Sequence, residues 1–160
     1  MNPLAAQAGE ALLAAGLRVV TAESCTGGGL AAALTDVPGS SRWFERGYVT
    51  YSNAAKQQDL GVAAAVLAGH GAVSAAVVEA MAAGALLASG AQVALAVSGV
   101  AGPDGGTADK PVGLVWFASA RRGGPVRSEC QQYQGDRAAV RAAAVVHGLR
   151  LILAAARRDG

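Results

Sequence analysis

The segment "LRVVTAESCTGGGLAAAL", residues 17–34, joins two different kinds of local pattern. Its first seven residues are mostly apolar or β-branched, which indicates a short buried strand. Residues 27–34 are rich in alanine and leucine, which favours a helix. Ser24, Cys25 and Thr26 stand at the junction, so the predicted unit is a strand, a turn and a helix. An α/β protein is built from such units.

Helices and strands alternate along the rest of the chain. Further helices are predicted over residues 3–16 with Gly16 at the end, after a cap at Ser52 or Asn53, and over residues 63–68, 74–89 and 136–156. Strands are predicted over residues 43–53 and 91–99, and a hairpin over residues 112–120 and 126–134. We therefore expect a three-layer α/β/α sandwich with a mixed sheet. No linker or repeat is visible, so residues 1–160 are expected to form a single domain.

Composition and charge exclude several classes of protein. Of the 160 residues, 52% are apolar but only 4% are aromatic, which predicts a core of alanine, valine and leucine. Thirteen basic residues against eleven acidic ones, with no basic run among aromatics, argue against nucleic-acid binding. Cys25 and Cys130 fit neither a disulfide scaffold nor a zinc site, which favours a cytoplasmic location. The uncharged residues 80–103 contain polar residues and divide at "SGAQ", so no membrane span is expected.

Three loops with unusual side chains follow predicted strands: "AESCTGGG", "YSNAAK" and "SGVAGPDGGTADKP". In open α/β sheets, ligands bind beyond the carboxyl ends of the strands, where such loops converge. The third loop matches neither a phosphate-binding P-loop nor a dinucleotide fingerprint. His70 and His147 have no partners at metal-ligand spacing and are expected to be structural. We expect one site where the three loops meet, without a metal.

Two interpretations of these loops stay open on composition alone. Ser24 or Thr26 could simply cap the following helix, or Ser24 could be a nucleophile beside free backbone amides. Lys56 could be an exposed helix residue, or it could activate a serine if its amine is neutral. With Tyr51 at the end of a strand and Lys56 on the first helical turn, both could reach one pocket.

Five segments together resemble one family, the CinA C-terminal domain or nicotinamide mononucleotide deamidase family. They are "TAESCTGG", "PGSSRWFERGYVTYSNAAK", "GAVS", "SGVAGPDGGTADKPVGLVWFA" and "GDRAAVR", and they extend in order over residues 21–141. The resemblance implies a bacterial amidohydrolase of pyridine-nucleotide recycling, commonly a homodimer, that needs no metal or cofactor. It would convert nicotinamide mononucleotide to nicotinic acid mononucleotide and ammonia. The family motif usually has a glutamate where this chain has Ala54, so any role of that acid is absent here.

The resemblance also implies roles for single residues. Ser24 is similar to the nucleophile of the family, Lys56 to its base and Tyr51 to the hydroxyl that assists them. The substrate is expected to bind at two glycine-rich turns that contain Thr26, Gly27, Gly28, Gly102, Gly105, Gly106 and Thr107. Beyond the resemblance, an arginine, Arg137 or Arg141, is expected to help bind the phosphate. Amides of the turn after Thr26 are expected to hold the oxyanion.

Three alternatives accompany this reading. Cys25 is a rival nucleophile, although in extended backbone Ser24 and Cys25 would point to opposite faces and only one could enter a pocket. A non-catalytic nucleotide-binding or competence-associated interaction module would explain the glycine loops. An amidase for another small carboxamide would use the same nucleophile.

Overall fold

A computed structural model describes residues 1–158. These residues form six helices and five strands, and a one-turn helix, Ser40–Arg42, precedes the second strand. The helices are α1 Pro3–Ala15, α2 Gly29–Thr35, α3 Asn53–Leu60, α4 Ala64–His70, α5 Ala75–Ala88 and α6 Arg137–Arg157. The strands are β1 Val19–Glu23, β2 Phe44–Val49, β3 Val93–Gly99, β4 Leu114–Arg121 and β5 Val126–Gln132.

The five strands form one mixed sheet in the order β2-β1-β3-β4-β5. Strand β1 pairs in parallel with β2 and β3, whereas β4 and β5 continue the sheet antiparallel. Glu23, the last residue of β1, lies opposite Val49 of β2 and Val97 of β3. The carboxyl ends of the three parallel strands therefore meet at one edge, and the loops after them converge there.

Helices cover both faces of the sheet, which confirms the α/β/α sandwich. One core layer lies under α1, α2 and α6 and includes Leu12, Leu30, Phe117 and Ile152. The other lies under α3, α4 and α5 and is built mainly from alanine, valine and leucine with Met81. Small residues let these elements approach closely.

Helices α3 and α5 of the second layer approach each other closely at Gly84 of α5. A β-carbon at this position would collide with the backbone carbonyl of Leu60, the last residue of α3. Glycine is therefore required sterically here, and α3 is seated directly against the backbone of α5. This contact matters for the site because α3 carries Lys56.

Two predicted boundaries are wrong at the sheet edge where the loops converge. The predicted helix 27–34 begins only at Gly29, because Gly27 and Gly28 have φ values of 58° and 96° that a right-handed helix cannot contain. The predicted strand 43–53 ends at Val49, so Tyr51 lies in a connection rather than at a strand end. Ser52 is the cap of α3, since its hydroxyl accepts a hydrogen bond from the Ala55 amide at 3.0 Å.

The apolar segments are accounted for within the fold. Residues 80–103 divide into the second half of α5, strand β3 and a loop, as expected. Helix α6 is long and apolar enough to cross a membrane. It packs on α1, α2 and the sheet and contributes Leu149 and Ile152 to the core.

Candidate active site

Ser24 directly follows β1 and keeps that strand in register with β3. Its amide donates a hydrogen bond to the Val97 carbonyl at 3.0 Å. Side chains alternate along a strand, so Glu23 faces α2 while Ser24 faces the layer that contains α3. The Ser24 hydroxyl is largely buried and is aimed at Lys56.

Lys56 is fully buried, and its amine contacts three oxygen atoms. Nζ lies 2.9 Å from Ser24 Oγ, 2.6 Å from the Thr50 carbonyl and 3.2 Å from the Tyr51 carbonyl. Both carbonyls belong to the connection between β2 and α3, so the lysine folds back over the segment that precedes its own helix. The predicted pair of Ser24 and Lys56 is thus brought within hydrogen-bond distance.

The surroundings of Lys56 favour its neutral form. Burial lowers the pKa of the Lys56 amine below its ordinary value of 10.5. None of the three ion pairs in the described part of the chain involves Lys56. A neutral amine has two N–H donors and one lone pair. With its donors on the carbonyls of Thr50 and Tyr51, its lone pair faces the Ser24 hydroxyl.

Ser24 and Lys56 line a cavity of about 290 Å³ at the edge where the parallel strands end. The three predicted loops all contribute to its wall, the first with Ser24 and Cys25 and the second with Tyr51 and Lys56. The third loop contributes residues 98–102, 104 and 105. Ala72, Val73 and Arg137 complete the lining. We call this space the Ser24 cavity.

Glu23 accepts hydrogen bonds from several of the donors at the start of α2. Its carboxylate accepts from the Leu30 amide at 2.9 Å and the Ala31 amide at 3.0 Å. Within the turn, the Gly27 amide donates to the Ser24 carbonyl at 3.0 Å. The expectation that the glycine-turn amides are free for an anion is therefore wrong for Gly27. In residues 1–158, the amide of Cys25 donates to no other residue.

Comparison with models of protein families identifies the family of this chain. The family model described as the CinA C-terminal domain matches residues 1–156. The chain belongs to the CinA C-terminal domain family. The resemblance drawn from the five sequence segments is thereby confirmed.

The matches to relatives and to solved structures cover nearly the whole of this CinA domain. It is 55% identical over 153 residues to "Nicotinamide-nucleotide amidohydrolase PncC" of Enterobacter agglomerans, covering 96% of this chain and 93% of the relative. It is 58% identical over 149 residues to the protein of the same name from Pseudomonas putida, covering 93% and 92%. The crystal structure of competence/damage inducible protein CihA from Agrobacterium tumefaciens matches with a TM-score of 0.93 at 46% identity, covering 97% and 94%. These comparisons confirm the expected fold and the expectation of an amidohydrolase enzyme.

The predicted substrate-binding residues divide into two groups in the CinA domain. Gly102, Gly105 and Arg137 line the Ser24 cavity, as expected for residues that contact a ligand. The others lie outside its lining: Thr26, Gly27, Gly28, Gly106, Thr107 and Arg141.

The residues outside the lining hold the loops in place. The Thr26 hydroxyl donates to Glu23 at 2.6 Å. The Thr107 hydroxyl accepts from the Lys110 amide at 3.0 Å and so closes a turn of the third loop. Arg141 reaches from α6 to the Cys25 and Thr26 carbonyls, at 3.1 and 3.2 Å.

Arg137 and Tyr51 form a pair at the opening of the cavity. One arm of the Arg137 guanidinium donates to the Gly102 carbonyl at 2.9 Å and the other to the Tyr51 hydroxyl at 3.1 Å. The Tyr51 side chain is exposed, at 61% of its surface. Lys56 contacts the backbone carbonyl of Tyr51, whereas the phenol contacts Arg137. The predicted assistance by this hydroxyl stays a prediction.

Cys25 differs from Ser24 in both environment and protonation. It is only 5% exposed and belongs to the core layer under α2 and α6. Burial raises the pKa of its thiol to about 11. A thiol needs to be ionised to be a strong nucleophile, so Ser24, whose hydroxyl contacts the Lys56 amine, is the better candidate.

His147 has structural contacts, and several residues near the site were not predicted from the sequence. His147 lies 2.9 Å from Glu129 and packs edge-on against Phe117, which agrees with a structural role. In residues 1–158, no group of three metal-ligating side chains occurs. Sequence reasoning missed Glu23 and Thr50, and it did not predict that Ala72 and Val73 of the segment "GAVS", residues 71–74, line the site. A charged residue at the end of an otherwise apolar strand was the available signal for Glu23.

Proposed function

We propose that this CinA domain is a nicotinamide mononucleotide amidohydrolase. It hydrolyses the carboxamide to give nicotinic acid mononucleotide and ammonia, with Ser24 as nucleophile and Lys56 as base. The single observation that carries the proposal is the 2.9 Å contact between Ser24 Oγ and a fully buried Lys56 Nζ in a cavity. The relatives named nicotinamide-nucleotide amidohydrolase support the choice of substrate.

The first half of the reaction forms an acyl-enzyme. The Ser24 hydroxyl transfers its proton to the Lys56 lone pair as Oγ attacks the carboxamide carbon. The ammonium that forms has three N–H donors, and two of them point at the Thr50 and Tyr51 carbonyls. The third returns the proton to the amide nitrogen, the C–N bond breaks, and ammonia leaves. Lys56 is then neutral again.

The second half releases the acid. Lys56 accepts a proton from a water molecule as that water attacks the acyl carbon, and then returns a proton to Ser24 Oγ as the ester bond breaks. The product is the nicotinate carboxyl group. One water is consumed for each ammonia released, and both residues return to their starting protonation.

The oxyanion needs a hydrogen-bond donor on the cavity wall. We assign this role to the amide of Cys25, because Cys25 lines the cavity and its amide donates to no other residue of the described chain. One such donor contributes roughly 10² to 10³ in rate. The amide of Gly27 is held by the Ser24 carbonyl and is assigned to the turn instead.

The phosphate of the substrate is assigned to Arg137. It is the arginine that lines the cavity, and its planar guanidinium suits a phosphate group. The cavity volume of about 290 Å³ lies near the lower end of the range for small-ligand pockets, which agrees with a mononucleotide. Gly102 and Gly105 form the wall between Ser24 and Arg137 without side chains to obstruct it. We propose that Tyr51 assists in two ways. Its backbone carbonyl accepts a hydrogen bond from Lys56, and its hydroxyl accepts one from Arg137 and so orients that side chain.

Incubation of the purified protein with nicotinamide mononucleotide tests the proposal. Release of one ammonia for each nicotinic acid mononucleotide formed, and loss of both in Ser24→Ala, is the expected result. Binding without turnover would instead support a competence-associated interaction module. The name of one solved relative, competence/damage inducible protein CihA, is the reason to test this alternative. Turnover of free nicotinamide or another amide, but not of the mononucleotide, would support the third alternative.

The state of the protein in solution and in the cell belongs to the same proposal. We propose a homodimer in the cytoplasm that binds neither nucleic acid nor membranes. Sedimentation equilibrium of the purified chain measures the first point, and a monomer at micromolar concentration would contradict it.

A further inference from the structure

The Glu23 carboxylate is a buried charge that the proposed reaction does not use. Glu23 is fully buried, and none of the ion pairs formed by residues 1–158 includes it. A buried carboxylate without a counter-charge is costly unless hydrogen bonds satisfy its oxygens. Its location immediately before Ser24 therefore needs a physical explanation.

Three hydrogen bonds satisfy the carboxylate, and all of them come from the turn and helix that follow Ser24. One oxygen accepts from the Thr26 hydroxyl at 2.6 Å and from the Leu30 amide at 2.9 Å. The other accepts from the Ala31 amide at 3.0 Å. Glu23 thus ties β1 to α2 across the turn that contains the nucleophile.

The backbone of Glu23 connects to the base as well. Its carbonyl accepts a hydrogen bond from the Thr50 amide at 2.8 Å. The carbonyl of Thr50 is the nearest contact of Lys56 Nζ, at 2.6 Å. One residue is therefore linked by hydrogen bonds to the segment that carries Ser24 and to the segment that positions Lys56.

We propose that Glu23 is the positioning residue of this site, which holds Ser24 at the distance from Lys56 that proton transfer requires. The proposal rests on the proposed amidohydrolase function. Thr26 is the second member of the device, because its hydroxyl links the carboxylate to the turn itself. Arg141 holds the same turn from the outer side through the Cys25 and Thr26 carbonyls.

The chemistry of the three donors explains why the residue is an acid. All three partners donate, so only a group with acceptors on both oxygens satisfies them. A glutamine would turn an NH₂ group toward either the Ala31 amide or the Thr26 and Leu30 donors. The negative charge has a further effect: burial, and to a smaller extent the charge of Glu23, raises the pKa of the neighbouring Cys25 thiol.

Two variants and a rescue test the proposal by steady-state kinetics with nicotinamide mononucleotide. Glu23→Gln and Thr26→Val should each lower kcat by about 10- to 100-fold with KM within about threefold, because misplaced reacting groups affect the chemical step. Thr26→Ser, which keeps the hydroxyl, should restore kcat. The double variant should lose little more than either single one, because both substitutions disrupt the same set of hydrogen bonds around the carboxylate.

Asn2→Ala is the matched control. Asn2 caps α1 through a hydrogen bond from the Leu4 amide at 2.8 Å, and α1 lies away from the Ser24 cavity. This variant loses one helix-capping bond and should keep the kcat of the unmodified protein. If Thr26→Val also keeps that kcat and only loses thermal stability, Glu23 has a structural role alone and the proposal is overturned. Thr26→Val decides the question even where Glu23→Gln does not fold.

A second readout separates this proposal from the proposed function. In a Cys130→Ser background, which removes the exposed thiol, the ¹³Cβ chemical shift of Cys25 in cysteine-labelled protein, followed against pH, reports the ionisation of this buried thiol. Glu23→Gln should move this titration to lower pH, whereas Asn2→Ala should not. An unchanged profile in Glu23→Gln would count against the proposal whether or not the protein hydrolyses the mononucleotide. If the protein has no amidase activity but Glu23→Gln shifts the profile, the proposed function is wrong, whereas the effect of the Glu23 charge on the nucleophile turn is supported.

Discussion

The Lys56 amine lies closer to the Thr50 carbonyl, at 2.6 Å, than to the Ser24 hydroxyl, at 2.9 Å. The strongest contact of the proposed base is therefore with a backbone acceptor that cannot be titrated or removed by a side-chain substitution. Thr50 fixes the nitrogen, and the serine is left as the partner whose proton can move. A lysine base must also be able to lose its proton, and burial favours this by lowering the pKa of Lys56.

The pH dependence of the reaction should report the ionisation of Lys56. Because its pKa is below 10.5, the active neutral form appears at lower pH than for an exposed lysine. We expect kcat/KM to rise with pH and to level off below pH 10.5, and Lys56→Met to lose activity at every pH. A rate that is independent of pH up to 10.5 in the unmodified protein would contradict a lysine base.

Folding stability should respond to the same group with a definite sign. Between the folded pKa of Lys56 and 10.5, the unfolded chain binds more protons than the folded one, so the free energy of unfolding rises with pH. Cys25 acts in the opposite direction. Its folded pKa of about 11 exceeds the ordinary 9.0, so the contribution of the neutral thiol is lost as pH rises through that interval. Urea unfolding of Cys25→Ala between pH 8 and 11 should lack this loss.

Ser24→Ala and Cys25→Ala should separate the two candidate nucleophiles. Removal of Ser24 should lower ammonia release by about 10³-fold or more, as expected when one member of a catalytic pair is removed. Cys25→Ala should keep most of the activity, with a loss of stability because the thiol is buried. The reverse pattern would assign the chemistry to the thiol.

Arg137 and Arg141 should have different kinetic signatures. Arg137→Ala should raise KM for the mononucleotide by about 10- to 100-fold, the range for one hydrogen bond to a charged group, with a smaller change in kcat. Arg141→Ala should chiefly lower kcat, because this guanidinium holds the carbonyls of the nucleophile turn. Free nicotinamide has no phosphate, so its KM should not respond to Arg137→Ala.

Tyr51→Phe should raise KM by about threefold to tenfold and change kcat little. The substitution removes the oxygen that accepts from Arg137 and keeps the backbone carbonyl that accepts from Lys56. The expected size is that of one net hydrogen bond. A drop in kcat without a change in KM would instead indicate that the hydroxyl assists proton transfer directly.

Gly84→Ala should destabilise the fold by about 1–3 kcal/mol, the usual cost of overpacking. The added methyl group would collide with the Leu60 carbonyl, and α3 would have to shift. Gly90→Ala is the matched control, since a β-carbon there has no heavy atom within 4 Å. Thermal unfolding of the two variants gives the difference, and equal melting temperatures would contradict the tight packing of α3 on α5.

Local pattern was sufficient to predict the layers, and the family resemblance predicted the pairing of Ser24 with Lys56. The period of apolar residues located the strands and helices, and the family motifs singled out the side chains that we propose to react. The positions of hydrogen-bond donors were not predictable in the same way. Whether the Gly27 amide is free depends on a 3.0 Å contact within the folded turn, and whether Tyr51 faces Ser24 or Arg137 depends on where β2 ends. Both contacts are determined by tertiary packing, which cannot be predicted from the order of residue types alone.

The contact between Gly84 and Leu60 has a consequence for how this protein can evolve. Lys56 and Leu60 are one helical turn apart on α3, so the depth at which α3 sits on α5 also sets the reach of the amine toward Ser24. Selection for activity must therefore also constrain Gly84, which lies outside the lining of the Ser24 cavity. A screen of random variants for amidase activity should find Gly84 as intolerant of replacement as residues that line the cavity.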